Sequence, residues 1–334
     1  MNTPSPSIVV MGGGTGTYTV LSGLRDRKVA VTALLTMVDD GGSNRVLRDE
    51  FGLLPTSGVR QAIVALSEKQ GLLRELFLYR FHQGNGISGM TFGNLFLAAV
   101  SDIVGSQKEA IKQTAELFSV KGRILPISYD DVRLVATYED GSTVVGEHLI
   151  DEPQHDGTLK ITELSTKPEA KITDEARDAL LEADMIVLGP GDFYTNTIAN
   201  LIVTGVKETL MKSRAQIVFV VNLMTKYGEA YDYTAADYIH DLGSYLPLER
   251  LNGIIINTDV QYPDDALRIY EEYRSIPVVD NLESVKLPHT TIVRQDILSH
   301  RIEETQKGDA LQRSIIRHDP EKLADALLSF FQKS

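Results

Sequence analysis

A short apolar run, Ile8–Met11, breaks directly into Gly12-Gly13-Gly14-Thr15-Gly16, and a helical pattern over Tyr18–Arg25 follows. A strand that ends in glycines and re-enters as a helix is the opening of a parallel βαβ unit. The glycines let the backbone turn tightly and approach a ligand, while the helix start offers N–H groups and positive dipole to an anion. Further β-branched runs recur at Val29–Met37, Met185–Leu188, Ile217–Val221 and Gly253–Ile256. Several are continuously apolar, as strands covered on both faces should be. The pattern predicts an α/β chain with a Rossmann-like, doubly wound, mainly parallel sheet.

Two segments depart from it. Between about 57 and 120, the stretches Val59–Ser67, Leu72–Phe81, Gly93–Val104 and Lys108–Val120 carry apolar residues at three- and four-residue spacing, which predicts a helical insertion. From Arg123 to Leu164 the period falls to two. Val132–Tyr138 and Thr143–Leu149 flank Glu139-Asp140-Gly141-Ser142, and Thr158–Leu164 follows Asp156-Gly157. A small antiparallel addition over about 128–165 is expected there. Asp319-Pro320 before Lys322–Gln332 predicts a capped C-terminal helix. The 334 residues would suffice for two domains, but no repeat, low-complexity tract or Pro/Ser-rich linker divides them, so one unit over 1–334 is expected.

Composition excludes several chemistries. With no cysteine there is no thiolate nucleophile, disulfide framework or thiolate-held zinc. Thirty-three basic against 46 acidic residues leave a net charge of −13. That balance argues against a nucleic-acid surface or an anionic-membrane surface. The start of the chain lacks a basic n-region, and no run approaches the length of a membrane span, so a cytoplasmic protein is expected. The seven histidines form no H-x-H or H-E-x-x-H pattern and the serines no nucleophile elbow, so no covalent catalyst or histidine metal site is indicated.

Candidate ligand residues lie where strands end. The loop Gly12, Gly13, Gly14, Thr15 and Gly16 is neither a full dinucleotide fingerprint, since Thr17 replaces its third glycine, nor a Walker A loop. Asp39 and Asp40, ahead of Gly41-Gly42-Ser43, stand where a dinucleotide fold reads a ribose. They could equally hold Mg²⁺ beside a phosphorylated ligand or act as a base. Arg45, Arg48 and Arg60 follow, and one or two of them could reach a phosphate. Gly189-Pro190-Gly191-Asp192 and Asn222-Leu223-Met224-Thr225 close later strands, and Gly93-Asn94 opens a helix.

These blocks, with Leu47-Arg48-Asp49-Glu50-Phe51-Gly52-Leu53-Leu54-Pro55, Phe92-Gly93-Asn94-Leu95-Phe96, Lys121-Gly122-Arg123-Ile124-Leu125-Pro126, Gly189–Thr195 and Arg317-His318-Asp319-Pro320, occur in an order that resembles the YvcK branch of the CofD/YvcK family. The resemblance implies a cytoplasmic regulator that binds UDP-N-acetylglucosamine. Such a gluconeogenesis factor is tied to cell shape and envelope synthesis, requires no cofactor and forms a homodimer, with its regulatory protein partner open. It carries Gly12–Gly16 to the diphosphate. Asp39, Asp40, Ser43, Arg48, Asn94, Gly189, Gly191, Asp192, Asn222, Met224 and Thr225 would line the cleft, and Tyr270 and Arg317 would contact the nucleotide sugar. The CofD branch implies the alternative, a 2-phospho-L-lactate transferase using Mg²⁺. A third reading is an NAD-linked oxidoreductase, with NAD otherwise an adventitious occupant. The sequence departs from the branch pattern at Asn44-Arg45-Val46, at Thr56-Ser57-Gly58-Val59, around Met90-Thr91, at Asp192 and at Ala230.

Overall fold

The computed structural model describes residues 5–69, 71–300 and 315–332, so the opening residues, read above for a leader, lie partly outside it. Its frame is a parallel sheet of β1 (Ser7–Gly12), β2 (Ala30–Leu35), β3 (Arg123–Pro126), β7 (Met185–Leu188), β8 (Gln216–Val220), β9 (Leu251–Asn257) and β10 (Thr291–Gln295), in the order β10-β9-β8-β7-β1-β2-β3. All its neighbours pair parallel. The chain starts in the middle of the sheet, winds outward through β2 and β3, then returns to the other side of β1 with β7. That is the strand order of a dinucleotide-binding fold, and its crevice lies outside the carboxyl ends of β1 and β7.

The sheet is buried on both faces. Val9, Met11, Ile186 and Leu188 face one apolar cluster, while Ile8, Val10, Met185 and Val187 face another that the C-terminal helix Pro320–Gln332 helps to cover. Asp319 accepts from the backbone N–H groups of Glu321 and Lys322, both at 3.0 Å, so the expected cap is present.

The helical insertion contains α3 (Ser57–Leu66), α4 (Leu72–Leu78), α5 (Phe92–Val104) and α6 (Gln107–Leu117). Two more helices start at strand ends: α1 (Gly14–Leu24) after β1, and α2 (Gly42–Phe51) after β2. Periodicity missed α2 because it is mostly polar and buries only Asn44, Leu47 and Arg48. The antiparallel addition is β4 (Arg133–Tyr138), β5 (Thr143–Val145) and β6 (Ile161–Lys167), ordered β5-β4-β6.

Three details differ from expectation. Arg123–Pro126 has left the period-two region to become the edge strand β3 of the main sheet. The strand expected through Leu149 stops at Val145, because Gly146 (φ +112°) turns the chain into a short helix, α7 (Glu147–Asp151). The helix expected to Phe81 ends at Leu78, where Arg80 bridges to Thr91. Among the described residues no helix is long and apolar enough to cross a membrane.

Candidate functional site

The carboxyl ends of β1 and β7 meet as the order predicts. The glycines there are explained first by packing. A Cβ on Gly16 would sit 2.1 Å from the Pro190 carbonyl oxygen, and one on Gly13 would sit 2.0 Å from Asn196 Oδ1. One on Gly12 would strike Thr17 Oγ1 at 2.3 Å. Gly14 alone of the loop takes a left-handed φ, +62°. The β1 and β7 loops therefore interlock. Asn222, after β8, fastens the second of them by accepting from Gly191 N (3.2 Å) and donating to Gly191 O (2.8 Å). Gly13 caps α1 with no side-chain hydrogen bond, and the helix starts beside these interlocked loops.

The crevice floor holds charges that motif reading missed. Lys226 Nζ lies 2.8 Å from Asp192 Oδ1 and 3.7 Å from Glu229 Oε1, and it also pairs with Asp151 of α7. Glu229 is fully buried. It accepts from Tyr194 N (2.8 Å), Thr195 N (3.2 Å) and Thr195 Oγ1 (2.7 Å), and so fixes the start of a π-helical turn, Phe193–Ile198. Asp151, Asp192 and Glu229 are close enough together to hold a cation, and the Lys226 ammonium already lies among them. Lys226 and Glu229 belong to no recognised motif; they lie three residues apart in the loop after β8, and it is tertiary packing that brings them to Asp192 and the start of the π-helical turn after β7.

A second recess opens at the end of β2. Asp39 accepts from Gly41 N (3.0 Å) and Asn44 Nδ2 (2.6 Å), and burial pushes its carboxyl up to about 6. Asn94, 1% exposed at the start of α5, is the hub of this recess. Its Oδ1 accepts from Arg60 Nε (3.0 Å), and its Nδ2 donates to Ser43 Oγ (3.0 Å) and Ser57 Oγ (3.3 Å). Asn44 donates to the same Ser57 hydroxyl at 2.8 Å. Gly93 has no side chain because a Cβ would lie 2.4 Å from the Phe77 carbonyl and 2.6 Å from Arg60 Cδ. Glu147, also near Asp39, is held well above the usual carboxylate range, by burial first and by the neighbouring Asp39 charge second.

The expected Asp39–Asp40 pair divides its work. Asp40 faces the antiparallel addition, accepting from Arg133 Nη1 (2.8 Å) and His148 N (2.9 Å). Both its oxygens are engaged in holding that sheet, and neither aspartate belongs to a cation-ready group among the described residues. Arg48 likewise turns away, to the Val132 carbonyl at 2.8 Å and to Asp131.

Thr225 pairs by backbone and hydroxyl with Ile276, and Met224 joins an apolar cluster with Leu298 and Ile316 that Tyr270 packs against. The Tyr270 hydroxyl accepts from Ile315 N (3.0 Å) and Ile316 N (3.3 Å). Burial raises the Tyr270 phenol, and the two backbone N–H groups it accepts from oppose that. His318, beside Arg317, is buried and held down to about 4 by burial, against a hydrogen bond with the Val221 backbone, so it is neutral at pH 7.

Residues 8–298 match the family model described as 2-phospho-L-lactate transferase CofD. The chain is 35% identical to the gluconeogenesis factor of Bacillus subtilis over 98% of its own length and 99% of that protein. It is 34% identical to the gluconeogenesis factor of Halalkalibacterium halodurans over 96% of its length and 95% of that protein. A crystal structure of a UPF0052 family protein from Bacillus halodurans superposes with a TM-score of 0.88 at 31% identity, covering 98% of this chain and all of that one. The chain belongs to the CofD family, and within it to the group of the gluconeogenesis factors.

Proposed function

We propose that this protein binds a nucleotide sugar, UDP-N-acetylglucosamine, in the crevice between β1 and β7 and acts as a cytoplasmic regulator without turning its ligand over. The observation that carries the reading is the glycine-capped N-terminus of α1 at the switch point, which favours a diphosphate with no metal in attendance. The resemblance to the YvcK branch supports the identity of the sugar nucleotide and the links to cell shape and envelope synthesis. Tyr270 and Arg317, which the resemblance marks as nucleotide-sugar contacts, are the proposed contacts to the rest of the ligand. The ligand requires no cofactor on this reading, and a homodimer is the proposed assembly.

The phospholactyl transferase reading needs a carboxylate pair free to position Mg²⁺. The engagement of both Asp40 oxygens counts against it. Calorimetric titration with UDP-N-acetylglucosamine, with and without Mg²⁺ and with NAD for comparison, tests the proposal. Micromolar binding that does not depend on Mg²⁺, with the ligand recovered intact, is the expected result. Absence of binding by the UDP-sugar, or its consumption, overturns it.

A further inference from the structure

Helix α5 inverts the usual distribution of polarity. Of its thirteen residues Asp102 alone is charged, and the buried ones are Gly93, Asn94, Leu97, Ala98 and Ser101. Leu95, Ala99 and Ile103, a stripe at four-residue spacing, lie on the other side; Ala99 is exposed and Ile103 is 80% exposed. A helix this apolar is ordinarily covered all round. Its neighbours extend the stripe. Phe92 N donates to the Tyr79 carbonyl at 2.8 Å, and the Phe77 and Phe96 rings lie 5.7 Å apart. α4 therefore runs antiparallel beside α5, and it turns Leu72, 70% exposed, Leu76 and then Tyr79 to the outside. Leu54 and Gln107 exchange hydrogen bonds of 3.1 and 2.8 Å, which sets the end of α2, with Phe51 64% exposed, beside the end of α5.

We infer that this three-helix face is where a second copy of the chain docks, with α5 at the centre of the homodimer proposed above. Phe51, Leu72, Leu76, Tyr79, Ala99 and Ile103 expose on the order of 600 Å², at the top of what one patch on a monomer shows and near the roughly 800 Å² that each partner gives a standard interface. A two-fold axis at Ala99 fits the face to itself. The alanine allows two antiparallel α5 helices to approach closely, and each Ile103 then meets the partner's Leu95. Asp102 stands in the last turn of its own helix, where no basic residue offsets the dipole. The same axis carries it toward the first turns of the second α5, where an acid is favoured. Among the exposed charges of the three helices, Asp49, Glu50, Glu75 and Asp102 outnumber Arg45, which sets this face against an anionic lipid surface.

The inference rests on the homodimer reading for the existence of a second copy, and the two fail differently. Sedimentation equilibrium of the full chain should give a dimer. Ile103→Glu should raise its dissociation constant at least tenfold with thermal melting unchanged, since the position is exposed. Where melting falls, Leu72→Glu gives the same reading from α4. Val260→Glu is the matched control: Val260 is 82% exposed after β9, on the far half of the sheet, and its substitution should leave the dimer intact. The chain has no cysteine, so Ala99→Cys supplies a single thiol through which mild oxidation should join two copies, while Val260→Cys stays unlinked.

A wild-type chain that sediments as a monomer overturns both the homodimer and its face. A dimer that Ile103→Glu and Leu72→Glu leave as tight as wild type, or that Val260→Glu weakens equally, overturns the face alone. Flotation with phosphatidylglycerol vesicles that Ile103→Glu abolishes would assign the patch to a lipid surface, and the inference falls with it.

Discussion

The crevice at β1 and β7 and the recess after β2 lie on the same edge of one sheet, yet they are held together by different physics. In the crevice, backbone meets backbone: Gly16 packs on the Pro190 carbonyl, and Asn222 clasps both polar groups of Gly191. In the recess, side chains meet side chains around Asn94, and a buried amide with serine and arginine partners sets the shape. The first construction admits almost no side chain at its glycines. The second is sensitive to the loss of hydrogen-bonding groups. A glycine-rich sequence can therefore mark a site for reasons of chain packing before any ligand is considered.

The contrast breaks most severely at Gly16. Gly16→Val would place carbon 2.1 Å from Pro190 O and 2.4 Å from its carbonyl carbon, and both are backbone atoms that cannot rotate away. A loss of about 3 kcal/mol or more is expected, at the upper end of overpacking costs. Urea denaturation reads it as a lower midpoint, and nucleotide binding should fall with it. A midpoint within error of wild type would show that the two loops are not interlocked.

Asn94→Ala attacks the other construction. It strands the Arg60 Nε donor and removes the amide partner of Ser43 and Ser57, at a residue that is itself 1% exposed. Removing one partner of a buried network costs about 2–3 kcal/mol. Urea denaturation reads the loss, while nucleotide binding in the folded fraction should change less than twofold. A nucleotide affinity that falls tenfold or more would mean that the crevice and the recess are one site.

The two constructions also differ in how much the sequence revealed. The crevice was legible, because strand, glycine loop and helix follow one another within a few residues and the switch-point rule then brings the β7 loop alongside. The recess was legible only in parts: Asp39, Ser43 and Asn94 could be singled out, but Ser57 could not. Residues from β2, α2, α3 and α5 converge there through tertiary packing that no local period encodes. The charged floor was opaque for the same reason, since Lys226, Asp151 and Glu229 carry no motif. Among the elements, α2 was missed for want of an apolar stripe and β10 because it is a half-exposed edge strand without a continuous apolar run. For the aspartate pair the sequence left the role open between ribose, Mg²⁺ and base, and the fold sends Asp40 to the antiparallel addition while Asp39 stays in the recess.

Asp39 supplies a pH-dependent test of the recess. Its carboxyl is raised from 3.8 to about 6 in the folded protein, so the native state holds its proton more tightly than the unfolded chain does. The associated stability is fully present below about pH 4 and is lost as pH rises through about 6. Asp39→Asn keeps an acceptor for Gly41 N and removes the titration, but sets an amide NH₂ against the Asn44 Nδ2 donor. It should flatten the stability profile between pH 4 and pH 7 by about 1–2 kcal/mol relative to wild type. Denaturation midpoints at pH 4.5 and pH 7 measure the difference. A variant profile as steep as that of wild type would show that Asp39 does not titrate with the fold.

The smallest expected effect sharpens the comparison best, because it takes the same residue type from the recess. Gly42 carries a φ of +48°, and a Cβ there would meet nothing within 4 Å. Gly42→Ala therefore bears only the backbone cost of a left-handed alanine, about 1 kcal/mol, with no steric collision added. Gly16 lies inside α1, where alanine would ordinarily help a helix, and there the cost comes from the Pro190 carbonyl and the Gly191 nitrogen. Measured side by side, Gly16→Ala should exceed Gly42→Ala in lost stability despite its better helical propensity. The reverse order would mean that backbone conformation, and not the close approach of two loops, is what the glycines of this protein secure.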